Sequence, residues 1–107
     1  MAWDYLLTKD AENDFRKLDG SQKKLVLAML EKLRINPLPK SRGGYGTPLG
    51  NDSETGNLAG LLKLKAKGIG IRVVYRLIEK DEVSHVIVIG MREEKEVYKK
   101  AAKRVKK

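Results

Sequence analysis

Leu61-Leu62-Lys63-Leu64-Lys65, then Ile71-Arg72-Val73-Val74-Tyr75-Arg76-Leu77-Ile78, then Val83-Ser84-His85-Val86-Ile87-Val88-Ile89: the reading of these three runs decides the fold. Each is short and rich in branched aliphatic residues, which fit a pleated surface. Lys67-Gly68 and Lys80-Asp81 separate them, and such pairs favour tight turns. Three consecutive strands with short turns form an antiparallel meander. In the first run Leu62 and Leu64 face a core while Lys63 and Lys65 share the opposite face, because side chains alternate along a strand. In the second, Arg72, Val74 and Arg76 lie on one face and Val73, Tyr75 and Leu77 on the other. Pairing Lys63 with Arg72 gathers both lysines and Arg72 into one patch, and a one-residue slip separates them. The sequence leaves that register open.

Upstream, Trp3 to Thr8 reads as a first strand. From Lys9 to Leu18, Ala11, Phe15 and Leu18 recur at helical spacing, and Asp19-Gly20-Ser21 supplies a stop, a permissive glycine and a new N-cap at Ser21. A second helix carries Val26, Met29, Leu30 and Leu33 on one stripe and ends before Pro37. The two helices predict an antiparallel hairpin, with Met29 as packing. Asn36 to Asn57 is a long loop rich in Gly, Pro, Ser and Asn, a length that compact domains keep for binding or movement. After Gly90, Val97, Ala101 and Val105 at four-residue spacing predict a C-terminal helix with a basic end. The expected fold is α+β, one domain over 1–107: strand, helical hairpin, three-stranded antiparallel meander, C-terminal helix.

The 107 residues include 23 Lys and Arg against 14 Asp and Glu, a net charge of +9 that favours a polyanionic partner such as nucleic acid. With no cysteine, disulfides, thiolate zinc sites and a cysteine nucleophile are excluded. The N-terminus lacks the basic and apolar regions of a signal peptide, and no apolar run approaches a membrane span, so a soluble cytoplasmic protein without membrane contact is expected.

Taken alone, the strand cations read as the wet face of a half-buried sheet. Clustered, they raise the cost of charging one another and favour an anion that relieves the repulsion, such as a phosphodiester. His85 sits mid-strand without an acidic neighbour and reads as packing or surface. Glu93, Glu94 and Glu96 suit the first turn of a helix, and no metal is expected. Gly68-Ile69-Gly70 is too short for a phosphate-binding fingerprint and reads as a hairpin turn, so no cofactor is expected.

The string from Leu61 to Lys65, Gly70-Ile71-Arg72-Val73-Val74-Tyr75-Arg76, Gly90-Met91-Arg92-Glu93 and Glu96-Val97-Tyr98, in that order, resembles the RelE family of bacterial toxins. The resemblance covers nearly the whole chain and is strongest from Leu58 onward. It implies a toxin paired with a cognate antitoxin protein in a hetero-oligomer, acting as an endonuclease on messenger RNA at the ribosome. Carried over residue by residue, Lys63 and Lys65 match the family's strand lysines, Arg72 its phosphate-binding arginine, Arg92 its arginine after the last strand, and Tyr98 its C-terminal tyrosine.

The implied reaction is attack of a ribose 2′-hydroxyl on the adjacent phosphate, without metal. Lys65, Arg72, Arg92 and Tyr98 are the implied catalytic set, with either Tyr98 or Lys65 as general base. Lys63, Arg76, Lys103 and Arg104 are expected to contact RNA. An alternative is a ParE-type toxin, which shares the architecture but binds and inhibits DNA gyrase and cuts no RNA.

Overall fold

A short polar residue starts each of the first two helices. In the computed structural model, which describes residues 3–52, 56–66, 70–90 and 94–105, β1 (Asp4–Leu7) leads into α1 (Lys9–Arg16). Thr8 caps α1, its Oγ1 accepting from the Ala11 N–H at 3.2 Å. The next helix, α2 (Gly20–Ile35), begins earlier than expected, with Asp19 rather than Ser21 as its cap. The Asp19 carboxylate accepts from the Gln22 N–H at 2.8 Å, and the Gln22 side chain accepts from the Asp19 N–H at 3.0 Å. This reciprocal box satisfies two donors at once, and a carboxylate also suits the positive end of the helix dipole. The bond from Gln22, aided by the Ser21 hydroxyl, holds the Asp19 carboxyl below its usual range.

The remaining elements are β2 (Thr47–Pro48), β3 (Asn51–Asp52), β4 (Gly56–Asn57), β5 (Leu61–Lys65), β6 (Arg72–Ile78), β7 (Val83–Gly90) and α3 (Glu94–Val105). The meander β5-β6-β7 is the centre of a five-stranded sheet of order β1-β7-β6-β5-β2, in which β1 runs parallel to β7 and β2 antiparallel to β5. β3 and β4 form a separate hairpin. The Glu79–Asp81 3-10 turn joins β6 to β7 where Lys80-Asp81 was expected to turn. The Lys67-Gly68 turn lies outside the described residues, and the Ala66 N–H to Ile71 carbonyl bond of 3.0 Å closes the described end of that hairpin.

Both faces of the sheet are covered, so the sheet has no wholly wet side. On one face Leu62, Leu64, Val73, Tyr75, Val86 and Ile89 pack with Val26, Met29, Leu30 and Leu33 of α2 and with Ala11 of α1. On the other, Leu61, Val74, Ile87 and Val88 pack with Val97, Tyr98, Ala101 and Ala102 of α3. Ile87 and Val88 are consecutive yet share a face. The cause is a bulge: Val74 pairs with Val88 and Tyr75 with Val86, leaving Ile87 as the extra residue.

The long loop is tied to the sheet. Tyr75, fully buried, donates its hydroxyl to the Pro37 carbonyl at 2.7 Å. Gly46 lies against that hydroxyl and against Leu62, where any Cβ would collide. At the loop's far side Arg42 pairs with Glu79 at 2.8 Å.

Burial pushes the Tyr75 phenol well above its ordinary value of 10.0. Because the folded value is raised, the contribution to stability is whole below pH 10 and is lost as pH rises beyond it. Tyr75→Phe leaves the Pro37 carbonyl unpaired and should cost about 1–3 kcal/mol in urea unfolding at neutral pH. In the parent, unfolding free energy should fall above pH 10, and this decline should be shallower in Tyr75→Phe.

Candidate nucleic-acid interface

The pairing of β5 with β6 places Lys65 directly opposite Arg72, Lys63 opposite Val74, and Leu61 opposite Arg76. The register therefore differs by two residues from a Lys63–Arg72 pairing. Because strand side chains alternate with a period of two, that shift leaves Lys63, Lys65 and Arg72 on one face. On its other side Lys63 neighbours Thr47 of β2, and Arg72 neighbours Gly90 of β7. Arg72 is half-buried, and its Nη1 donates to the Gly70 carbonyl at 2.9 Å. Lys65 is exposed. Like charges directly opposite across a strand pair oppose folding, and a bound anion reverses the sign of that term.

Tyr98 completes this face from above. The Lys63 Nζ lies 5.4 Å from the centroid of the Tyr98 ring, within cation–π range. The ring is buried, and among the described residues the Tyr98 hydroxyl has no hydrogen-bond partner. A buried hydroxyl without a partner costs about 1–3 kcal/mol, which the ring's packing among Leu61, Val74 and Ala102 offsets. In this arrangement a ribose hydroxyl cannot reach it.

Arg72 and Arg76 share a strand face but not a site. Arg76 stands opposite His85. It opens on a separate cavity of about 250 Å³ with Thr8, Asp10, His85 and Val105. His85 is exposed there, consistent with a surface histidine. Lys103 is exposed on α3. Arg104 was expected to face RNA, and the structure turns it inward instead. Its Nη1 donates to Asp14 at 2.7 Å and to the Ile87 carbonyl at 2.8 Å, and its Nη2 to Asp14 at 3.2 Å. A carboxylate and a strand carbonyl oblige the guanidinium to pair with them. Arg92 lies outside the described residues, as do Glu93, Lys106 and Lys107. A larger cavity of about 740 Å³ lies between the α1–α2 corner and α3, and its charged lining is of both signs, with Asp14 and Glu96 against Lys17, Lys99 and Lys100. Among the described residues no group of carboxylates and histidines is arranged to hold a metal. Nor is any helix long and apolar enough to cross a membrane.

No protein-family model matches the chain. It is 44% identical over 43 residues to the mRNA interferase toxin RelE of Escherichia coli K12, covering 40% of this chain and 45% of that protein. The match thus spans under half of that curated relative. The solved structure of a double arginine-to-alanine variant of the Escherichia coli toxin RelE, in the free state, superposes with a TM-score of 0.71 at 25% identity, covering 98% of this chain and 99% of that one. The same variant in complex with a peptide of the antitoxin RelBc gives 0.63 at 28% identity, over 97% and 98%. The chain shares the fold of the RelE toxins.

In this RelE-like fold the strand cations and the C-terminal tyrosine, apart in sequence, meet on one face because β5 pairs with β6 and α3 folds back over both. Two contributors had no distinguishing signal in the sequence. Asp14 reads as one more surface acid of α1, and Gly90 as the end of a strand. At Gly90 α3 lies close against the sheet: a Cβ there would sit 2.6 Å from Val97 Cγ2. Gly90→Ala should therefore lower stability by about 1–3 kcal/mol in urea unfolding, the cost of overpacking. A Gly90→Ala, Val97→Ala double variant should recover part of that loss. If the single change is neutral, α3 is not seated against β7 as described.

Proposed function

We propose that this protein is the toxin of a toxin–antitoxin pair and a metal-independent endonuclease that cuts messenger RNA on the ribosome. The observation that carries the reading is the direct opposition of Lys65 and Arg72, flanked by Lys63 on the same face. Its likeness to the Escherichia coli relative, an mRNA interferase, supports it. In the proposed reaction the ribose O2′ attacks phosphorus and the P–O5′ bond breaks, leaving a 2′,3′-cyclic phosphate and a free 5′-hydroxyl. Arg72 grips the phosphate in a fork and, with Lys63, stabilises charge on its oxygens. Lys65 is exposed on this face and is assigned the O2′ proton. The buried Tyr98 hydroxyl is out of reach, and its ring supports Lys63. Arg92, or a water it holds, is assigned the proton that the leaving 5′-oxygen takes up, and the exposed Lys103 a phosphate of the bound RNA. A cognate antitoxin is the proposed partner, as the solved complex with the RelBc peptide supports. Its acidic surface would meet the +9 charge in the cytoplasm.

The test is single-turnover cleavage of ribosome-bound message, with new 5′ ends mapped. Lys65→Ala and Arg72→Ala should each slow cleavage by about a hundredfold or more, the scale of one lost acid–base or charge-stabilising group. Tyr98→Phe should slow it far less. A hundredfold loss in Tyr98→Phe would return the base to tyrosine. Parent protein that never cleaves but inhibits DNA gyrase would replace the nuclease reading with the ParE-type one. Binding of the cognate antitoxin, followed by titration calorimetry, should weaken as salt rises.

A further inference from the structure

Beyond Val86, β7 loses its β1 neighbour: Leu7 is the last residue of β1 to pair, and the Thr8 N–H to Val86 carbonyl bond of 3.0 Å ends the ladder. The backbone groups just past that point still need partners. Two side chains distant in sequence supply them. Asp14 Oδ2 accepts from the Ile89 N–H at 3.1 Å, and Arg104 Nη1 donates to the Ile87 carbonyl at 2.8 Å, on either side of Val88. The two side chains also bind each other in a fork, and Arg104 Nε stands 3.8 Å from Asp10. Both are largely buried, the side chains being 13% and 20% exposed. One ion pair thus fastens α1, the bulged end of β7 and the C-terminal half of α3 at a single point.

Arg104 lies six residues after Tyr98 on a rigid helix, and the other end of α3 is seated by Val97 against Gly90. The helix is pinned at both ends, with Tyr98 between the pins and its ring beneath the Lys63 ammonium. We propose that Asp14 and Arg104 are positioning residues for the cationic face: the pair fixes the depth at which α3 sits and so holds Lys63 in place over Tyr98 for the reaction. The proposal rests on the RNA-cleavage reading for its catalytic consequence. Its geometric part is read independently.

The experiment follows two variants in the full chain. Asp14→Asn keeps an acceptor for the Ile89 N–H but removes the charge, and Arg104→Lys keeps a cation but removes the fork. The first readout is the Lys63 ε-methylene resonance, which the Tyr98 ring current should displace upfield in the parent. In both variants it should move toward its free-lysine position, and α3 amides should exchange about tenfold faster while those of β6 keep their protection. The second readout is single-turnover cleavage, which should slow by about tenfold at saturating ribosomes with ribosome affinity unchanged. The double variant should lose no more than the worse single one, since the two residues act as a unit. Folded variants with an unmoved Lys63 resonance would overturn the proposal, as would a moved resonance with parental cleavage. If the parent itself does not cleave, the nuclease reading fails and the resonance alone decides the clamp.

Discussion

The pairing of β6 with β7 sets where everything else can go, because β6 buries an apolar side chain on each face and must be covered twice. Val73 and Tyr75 look toward α1 and α2, while Val74 looks toward α3. The bulge at Ile87 gives the α3 layer two adjacent aliphatic side chains from one strand, wide enough for a helix to rest on. A helix seated there leaves Lys65 exposed and Lys63 and Arg72 half-buried at its margin. The cationic face is thus bounded by the same apolar contacts that hold the fold together.

Charge and burial are in tension at that boundary. Lys65 and Arg72 oppose each other across neighbouring strands, a pairing that folding alone would select against. Tyr98 keeps a buried hydroxyl without a described partner. Costs of this kind persist where the surrounding structure holds them in place, and they gather at sites that meet a ligand. Here the surrounding structure is the double-sided core, assisted by the Asp14–Arg104 pair.

Much of this was legible in the sequence, for identifiable reasons. Alternation in Leu61 to Lys65 separates the core leucines from the face lysines whichever even register the hairpin takes, so the face could be read while the partner of Arg72 could not. Val97 and Ala101 at helical spacing placed α3, and both are buried. The spacing carried no sign of which surface α3 would cover. The sheet therefore looked wet on one side, since Val74 between two arginines resembles an exposed stripe. Arg104 looked like part of a basic tail because its partner lies ninety residues away, and no local pattern encodes such a pair. The glycine-rich loop read as free chain, yet Tyr75 and Pro37 anchor its root.

The bulge has a genetic corollary. Removing Ile87 itself would leave a regular ladder, with Val86 still opposite Tyr75 and Val88 still opposite Val74, but one residue added between Val88 and Ile89 would set the Ile89–Gly90 end on the wrong layer. Gly90 would no longer stand under Val97, and the carbonyl and N–H that Arg104 and Asp14 hold would fall out of step. Among descendants of this chain, insertions should be purged from the end of β7, where one extra residue shifts both layers at once.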